Sequence, residues 1–421
     1  MDTLRKALVL GLILVVAATA GCSSREKQVR HDIARLYPTT DARFDRTMGS
    51  LLGQPIVDGN RVQAYDNGDE IFPAMLEAIG AATSTINFET YIYWSGEIGQ
   101  RFADALAERR RAGVRVNVLV DWLGSNRLDE RVVKTLEDAG VEVRRYHPLR
   151  WYNIHRLNNR THRKLLVVDG RIGFTGGVGI ADQWTGDAQD ADHWRDTHYR
   201  VEGPAVAQMQ AVFLDNWMKV SGRVLHGDEY FPPPVEAGSQ RAQMFSSSPS
   251  GGAESMRLMY LMAITAAERT IRLAGAYFVP DERAVEALVE ARKRGVRVQI
   301  ITPGRHMDAD TVRHASRARW GPLLEAGVEI HEYQPTMYHR KGLVTDDTFV
   351  SVGSTNFDPR SFGLNDEANL NVYDEAFARE QAASFDADLQ HARRITYEEW
   401  KERPLRSRFW ERAASLLGPL L

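Results

Sequence analysis

Thr161-His162-Arg163-Lys164-Leu165-Leu166-Val167-Val168-Asp169 and Tyr338-His339-Arg340-Lys341-Gly342-Leu343-Val344-Thr345-Asp346 share one pattern: a histidine, a lysine two residues on, and an aspartate five beyond that. A chain of this composition should contain only about 0.02 such matches by chance, so two are not coincidence. Residues two apart in an extended stretch project from one face, which would turn imidazole and ammonium into one pocket while the intervening apolar positions face the core. A cation beside a nucleophile or proton donor is what attack on a phosphate ester needs. A glycine-rich turn follows each pattern, Thr175-Gly176-Gly177-Val178-Gly179 and Val352-Gly353-Ser354-Thr355-Asn356. Such turns let backbone N–H groups approach an anion, and Ser354 and Asn356 add side-chain donors.

Around these motifs the chain repeats itself. Thr85-Ile86 followed by Tyr91-Ile92-Tyr93 is echoed by Thr270-Ile271 followed by Ala276-Tyr277-Phe278. A helical pattern comes next in both halves, Phe102 to Gly113 and Ala284 to Gly295, each stopping at a glycine as a helix C-terminus does. Apolar runs at Val114–Val120 and Val296–Ile301 read as strands, and a further helix and strand end at Tyr146 and Tyr333. Alternating strands and helices predict an α/β fold: two repeated units, each a mixed sheet flanked by helices, packed as a pseudo-twofold pair around one site. The expected divisions are an export or anchor segment at 1–21, an N-terminal segment at 22–60, a first domain at 61–230, a Pro-rich linker at 231–239, a second domain at 240–400 and an amphipathic tail at 401–421. The first half carries an aromatic and basic insertion, Leu149 to Asn158, whose Arg150, Trp151 and Tyr152 suit either a lipid interface or a pocket wall.

Composition narrows the function. The 421 residues have 43% hydrophobic and 26% charged side chains, an ordinary globular balance that excludes disorder and a multi-span membrane protein. The net charge of −3, which becomes −4 when Asp2, Arg5 and Lys6 are removed, argues against a protein that coats nucleic acid. Cys22 is the single cysteine, which excludes an internal disulfide and a cysteine-built metal centre. Arg5 and Lys6, the apolar run Ala7–Ala20 and the small residues before Cys22 predict a lipoprotein-like signal with Cys22 as the lipidated residue; an uncleaved anchor and an ordinary signal peptide are the alternatives. Thr19 departs from the leucine usual in the lipoprotein signal. His193, His198, Asp187, Asp190 and Asp192 lack a repeating ligand spacing and read as a solvated loop. The stretch Leu405–Leu417, with Arg406, Arg408 and Arg412, suits either an anionic membrane surface or packing on the core.

The paired motifs and their glycine turns resemble the phospholipase D superfamily, whose members build one active site from two such motifs, and the resemblance spans nearly the whole chain. Asn158 to Lys164, Trp194 to His198, Gly203 to Val206, Tyr277 to Asp281 and Leu416 to Leu421 look like the bacterial cardiolipin synthase branch. The resemblance implies a phosphatidyltransferase that moves a phosphatidyl group between phosphatidylglycerol molecules through a phosphohistidine, with a hydrolytic phospholipase D as the alternative and a nuclease as a more distant one. It leans toward His162 as nucleophile and His339 as acid, with Lys164 and Lys341 supplying positive charge. It also places a histidine-orienting carboxylate downstream of each glycine turn, at Asp196 and Glu367. Asp169 and Asp346 complete the motifs and are read as local supports. Gly177, Ser354 and Asn356 stand at the phosphate-binding turn positions, and Gly179 replaces the usual asparagine. With lysines in the cationic role, no metal or other cofactor is expected. The implied partners are phospholipids and a membrane surface rather than nucleic acid, at a bacterial cell membrane or envelope to which the N-terminus tethers the chain.

Overall fold

Each parallel strand of a βαβ unit is buried on both faces, so it can be apolar throughout. Val116 to Val120 is buried throughout and apolar but for Asn117, and the helix Glu97–Arg111 covers it after Gly113, at φ +101°, has ended that helix. In the second half Gly295 (φ +93°) ends the helix Glu282–Lys293 in the same way, ahead of the buried run Val298 to Pro303. The computed structural model describes residues 37–148, 158–249 and 254–415, all within the compact unit Arg35–Leu421. The export segment, Cys22, the insertion residues Leu149 to Leu157 and the terminal Leu416 to Leu421 lie outside the described residues. Among the described residues no helix is long and apolar enough to cross a membrane.

The first half supplies β1 (Val57–Asp66), β2 (Thr85–Thr90), β3 (Arg115–Asp121), β4 (Glu142–Tyr146), β5 (Leu165–Val168), β6 (Ile172–Gly176) and β7 (Thr197–Glu202). The second supplies β8 (Gln240–Ser247), β9 (Thr270–Gly275), β10 (Arg297–Pro303), β11 (Glu329–Tyr333), β12 (Lys341–Thr345), β13 (Phe349–Gly353) and β14 (Glu367–Tyr373), with β15 (Ala392–Ile395) added at its edge. All join one sheet in the order 15-11-10-9-12-13-14-8-1-7-6-5-2-3-4. From the seam outward the two halves run 8-14-13-12-9-10-11 and 1-7-6-5-2-3-4, the same topology twice. The repeat is therefore joined edge to edge: β1 and β8 pair antiparallel, with Val57 opposite Ala242. Within each half β2-β3-β4 and β9-β10-β11 are parallel, and the other pairs are antiparallel.

The aromatic runs predicted as strand ends fall just past them. Tyr91 follows β2 and Tyr277 follows β9, at the carboxyl ends of parallel strands, where α/β sheets open their crevices. The C-terminal helix Leu405–Ser415 packs on the helix Asp310–Ala318, with Ala414 joining Val279, Val312 and Ala315 in a small apolar cluster.

Candidate active site

Two short backbone pairings set the register of the site. Thr161 bridges Asp366, with His162 N–H donating to Asp366 O (2.9 Å); Tyr338 bridges Arg195, with His339 N–H donating to Arg195 O (2.8 Å). Each pairing places the residue after it, Glu367 or Asp196, beside a histidine of the opposite half. His162 Nδ1 lies 2.9 Å from Glu367 Oε1, and His339 Nδ1 lies 2.7 Å from Asp196 Oδ2. Both carboxylates are fully buried. An ionised carboxylate only accepts hydrogen bonds, so each Nδ1 carries the proton and each Nε2 keeps its lone pair.

His162, Lys164, His339 and Asn356 line one cavity of about 240 Å³, with Tyr91, Trp184, Trp194 and Tyr277 among its walls. Lys164 Nζ donates to His162 O (2.7 Å), and Lys341 Nζ donates to His339 O (2.8 Å) while standing 3.1 Å from both ring nitrogens of His339. Asn356 Oδ1 is buried without a partner among the described residues. Burial first, with Lys164 and Lys341 adding to it, pushes His162 down to about 4 against the pull of Glu367. Burial and Lys341 likewise lower His339. Burial, and then Lys341, lowers Lys164 to about 7; burial lowers Lys341 to about 8. Burial opposes the charge of Glu367 and Asp196, but His162 and His339 respectively, with the lysines, hold both below the ordinary carboxylate range. The cavity thus pairs neutral imidazoles with cations whose protons an arriving anion would secure.

The two glycine turns differ from the expected phosphate-binding role. Ser354 Oγ donates to Glu367 Oε2 (2.5 Å) and accepts from Ala368 N–H (3.0 Å), so its hydroxyl serves the carboxylate and not the cavity. Gly177 abuts the other carboxylate, since a Cβ there would stand 2.2 Å from Asp196 Oδ1. Aspartate is one methylene shorter than glutamate, so the turn must come closer and can carry no side chain. Trp184 takes the place of the missing serine, its Nε1–H donating to Asp196 Oδ2 at 2.9 Å. Gly179 accommodates the same indole: a Cβ would lie 2.9 Å from Ile92 Cβ and 3.2 Å from the Trp184 ring. Trp184 and Trp194 then flank the His339 ring, with centroids 5.2 and 5.4 Å away, whereas His162 meets Tyr91 edge-on at 5.1 Å.

Asp169 and Asp346 are not brought into the cavity. Asp169 accepts from Thr83 N–H and Oγ–H, Ser84 N–H and Thr85 N–H at 2.8 Å each, and Asp346 accepts from the N–H groups of Glu268, Arg269 and Thr270. Both have positive φ, +52° and +56°, and fasten the hairpin after the motif to the start of β2 or β9. The apolar motif positions Leu165, Val167 and Leu343 are buried, whereas the positions between His and Lys are charged. They are Arg163 and Arg340, buried but paired, Arg163 with Val212 O and Asp215, Arg340 with Asp388. Burial of a guanidinium demands such partners, which apolar positions could not supply. Of the loop residues set aside as solvated, His193 pairs with Asp190 (2.7 Å), and His198 is buried in β7.

Trp184, Tyr91, Asp308, Asp358 and Arg360 also line the cavity and were not singled out as site residues by the sequence reading. Nothing in their spacing distinguishes them from core or surface; Tyr91 alone carried a signal, as the repeat partner of Tyr277.

The fold and this two-histidine centre define a phospholipase D-type enzyme. A family profile described as "Cardiolipin synthase, PLD-like domain" matches residues 75–217 and 260–389. The chain is 37% identical over 374 residues to a cardiolipin synthase of Geobacillus kaustophilus, covering 88% of this chain and 74% of that one. It is 34% identical over 379 residues to cardiolipin synthase 1 of Bacillus cereus, again covering 88% and 74%. The chain therefore belongs to the cardiolipin synthase family of phospholipase D-like proteins. Among solved structures, a phosphatidylserine synthase of Haemophilus influenzae superposes with a TM-score of 0.70 at 15% identity, covering 90% of this chain and 99% of that one, which shows the shared fold.

Proposed function

We propose that the protein transfers a phosphatidyl group from one phosphatidylglycerol to the hydroxyl of another, forming cardiolipin and glycerol through a phosphatidyl-histidine. The observation that carries this reading is the convergence of two imidazoles, each oriented by a buried carboxylate of the opposite half, in one cavity with Lys164, while Lys341 stands against the His339 ring. Once the phosphodiester anion is bound, His339 takes up a proton at Nε2; His162 Nε2 then attacks phosphorus, and the phosphorus–oxygen bond to the departing glycerol breaks as His339 passes that proton to the leaving oxygen. His339 then removes the proton of the acceptor hydroxyl, whose oxygen displaces His162. Lys164 and Lys341 stabilise the charge on the five-coordinate phosphorus in both steps. The relatives named as cardiolipin synthases support an alcohol as the acceptor. The aromatic walls Tyr91, Trp184, Trp194 and Tyr277 support it too, because apolar surface disfavours water at the intermediate. In this reading the N-terminal segment and Cys22 hold the enzyme at the bacterial membrane where its substrate lies.

The test is reaction of the purified full chain with labelled phosphatidylglycerol, with and without glycerol. Cardiolipin that falls when glycerol is added is the expected result. Phosphatidic acid as the sole product would replace the transferase with a hydrolase, and an absence of lipid products would overturn the lipid reading.

A further inference from the structure

The C-terminal helix Leu405–Ser415 buries Glu411 and Ala414, and its other face is open. Leu405 is 78% exposed, Phe409 66% and Trp410 52%, including the two most exposed large apolar side chains among the described residues. At 3.6 residues per turn, Leu405 and Phe409 stack on one line, flanked by Arg408 and Arg412 on one side and by Arg406 and Trp410 on the other. These three arginines are exposed and meet no carboxylate among the described residues, whereas Arg403 is held by Glu411 at 2.6 Å. Beside this face, between the helix and the preceding turn Tyr397–Lys401, lies a groove of about 880 Å³ with Trp400, Leu405 and Phe409 on its walls. Lys401 and Arg408 also border it, against exposed Glu398 and Glu402.

Large apolar side chains held in water beside unpaired arginines form the composition that settles into the headgroup layer of an anionic bilayer, the rings entering the acyl boundary and the guanidinium groups meeting phosphates. The placement fits the active site. The buried side of this helix packs on Val312 and Ala315, and Val312 and the neighbouring Tyr277 line the catalytic cavity. We infer that the Leu405–Ser415 helix is an interfacial docking surface that seats the enzyme on an anionic phospholipid bilayer and brings the rim of the catalytic cavity to the lipid. The inference rests on the reading of a phospholipid substrate only for its purpose; the docking itself is measurable without turnover.

The full chain is reconstituted with vesicles of phosphatidylglycerol, or of phosphatidylcholine, carrying brominated acyl chains, and tryptophan quenching is compared with that of Trp410→Phe. Docking predicts extra quenching in phosphatidylglycerol vesicles that Trp410→Phe removes and that falls at least fivefold in the Arg406→Gln, Arg408→Gln, Arg412→Gln triple variant. Equal quenching in wild type and Trp410→Phe, or a Trp410 shielded within a dimer, would overturn the inference. In parallel, Phe409→Ser with Trp410→Ser should lower the rate on phosphatidylglycerol vesicles at least tenfold and leave the rate on monomeric short-chain phosphatidylglycerol within twofold. Equal losses on both substrates, or on neither, would contradict docking. Quenching as expected in an enzyme that turns over neither substrate would uphold docking and reject the substrate reading.

Discussion

Glu367, on β14 of the second half, accepts the Nδ1–H of His162, which belongs to the first half; Asp196 and His339 form the reverse pair. Neither half therefore contains a complete histidine–carboxylate dyad, and the seam between β1 and β8 is as necessary to the chemistry as the histidines. Removing an orienting carboxylate while keeping its shape should cost about 10²- to 10⁴-fold in kcat, by releasing the imidazole tautomer. We expect this loss in both Glu367→Gln and Asp196→Asn, and near-complete loss in His162→Ala and His339→Ala, with circular dichroism unchanged. Either carboxylate variant retaining more than half of the wild-type kcat would remove that residue from the orienting role.

The glycine turns predict an asymmetric response to symmetric substitutions. Gly177→Ser copies Ser354 into the first half, yet its Cβ would collide with the Asp196 carboxylate. Gly179→Asn restores the residue usual at that position and would press on Ile92 and Trp184. Both should lower kcat at least tenfold. Trp184→Phe removes the indole N–H from Asp196, and a lost bond to a charged group is worth about 1.5–3 kcal/mol, so kcat should fall by roughly ten- to a hundredfold. Steady-state kinetics of the three variants checks this, and wild-type activity in Gly177→Ser would show that the turn has room the geometry denies.

The pH profile follows from the shifts at the site. His162, held down to about 4, is in its nucleophilic neutral form above that pH, and Lys164, at about 7, keeps its charge only below its own value. The profile of kcat/KM, which reports the free enzyme, should therefore rise through about pH 4 and fall by about pH 7, where His339, itself lowered, and Lys164 have both lost the protons the first step uses. Bound phosphate favours the ammonium form, so the alkaline limb of kcat should lie higher than that of kcat/KM. A kcat/KM flat to pH 9.5 would contradict the role of Lys164.

Asp169 and Asp346 should separate stability from chemistry. Asp169→Ala leaves three backbone N–H groups without their acceptor, for a loss of about 2–4 kcal/mol in unfolding free energy. Chemical denaturation should show this loss, while kcat/KM of the folded enzyme stays within threefold of wild type.

Much of this arrangement was legible in the sequence, because a repeated motif fixes topology twice over. The two helices that stop at Gly113 and Gly295 and the strands that follow them stand where spacing and turn chemistry put them. Asp196 and Glu367 were reached through family resemblance alone, since their link to the opposite half comes from the Thr161–Asp366 and Arg195–Tyr338 pairings, which no local pattern announces. Ser354 was assigned to phosphate because a turn serine is a good donor; that a buried carboxylate would claim the hydroxyl depends on tertiary packing. Trp184 was invisible for the same reason, and the absence of side chains at Gly177 and Gly179 becomes meaningful only once the indole and Asp196 fill the space.

Covalent transfer on His162 is tested by acid-free rapid quenching of the enzyme with phosphorus-labelled phosphatidylglycerol, followed by mapping of the labelled peptide. Base-stable, acid-labile label is expected on the peptide bearing His162 and is expected to be absent from His162→Ala. Label on His339 alone, or none under conditions where cardiolipin forms, would contradict it.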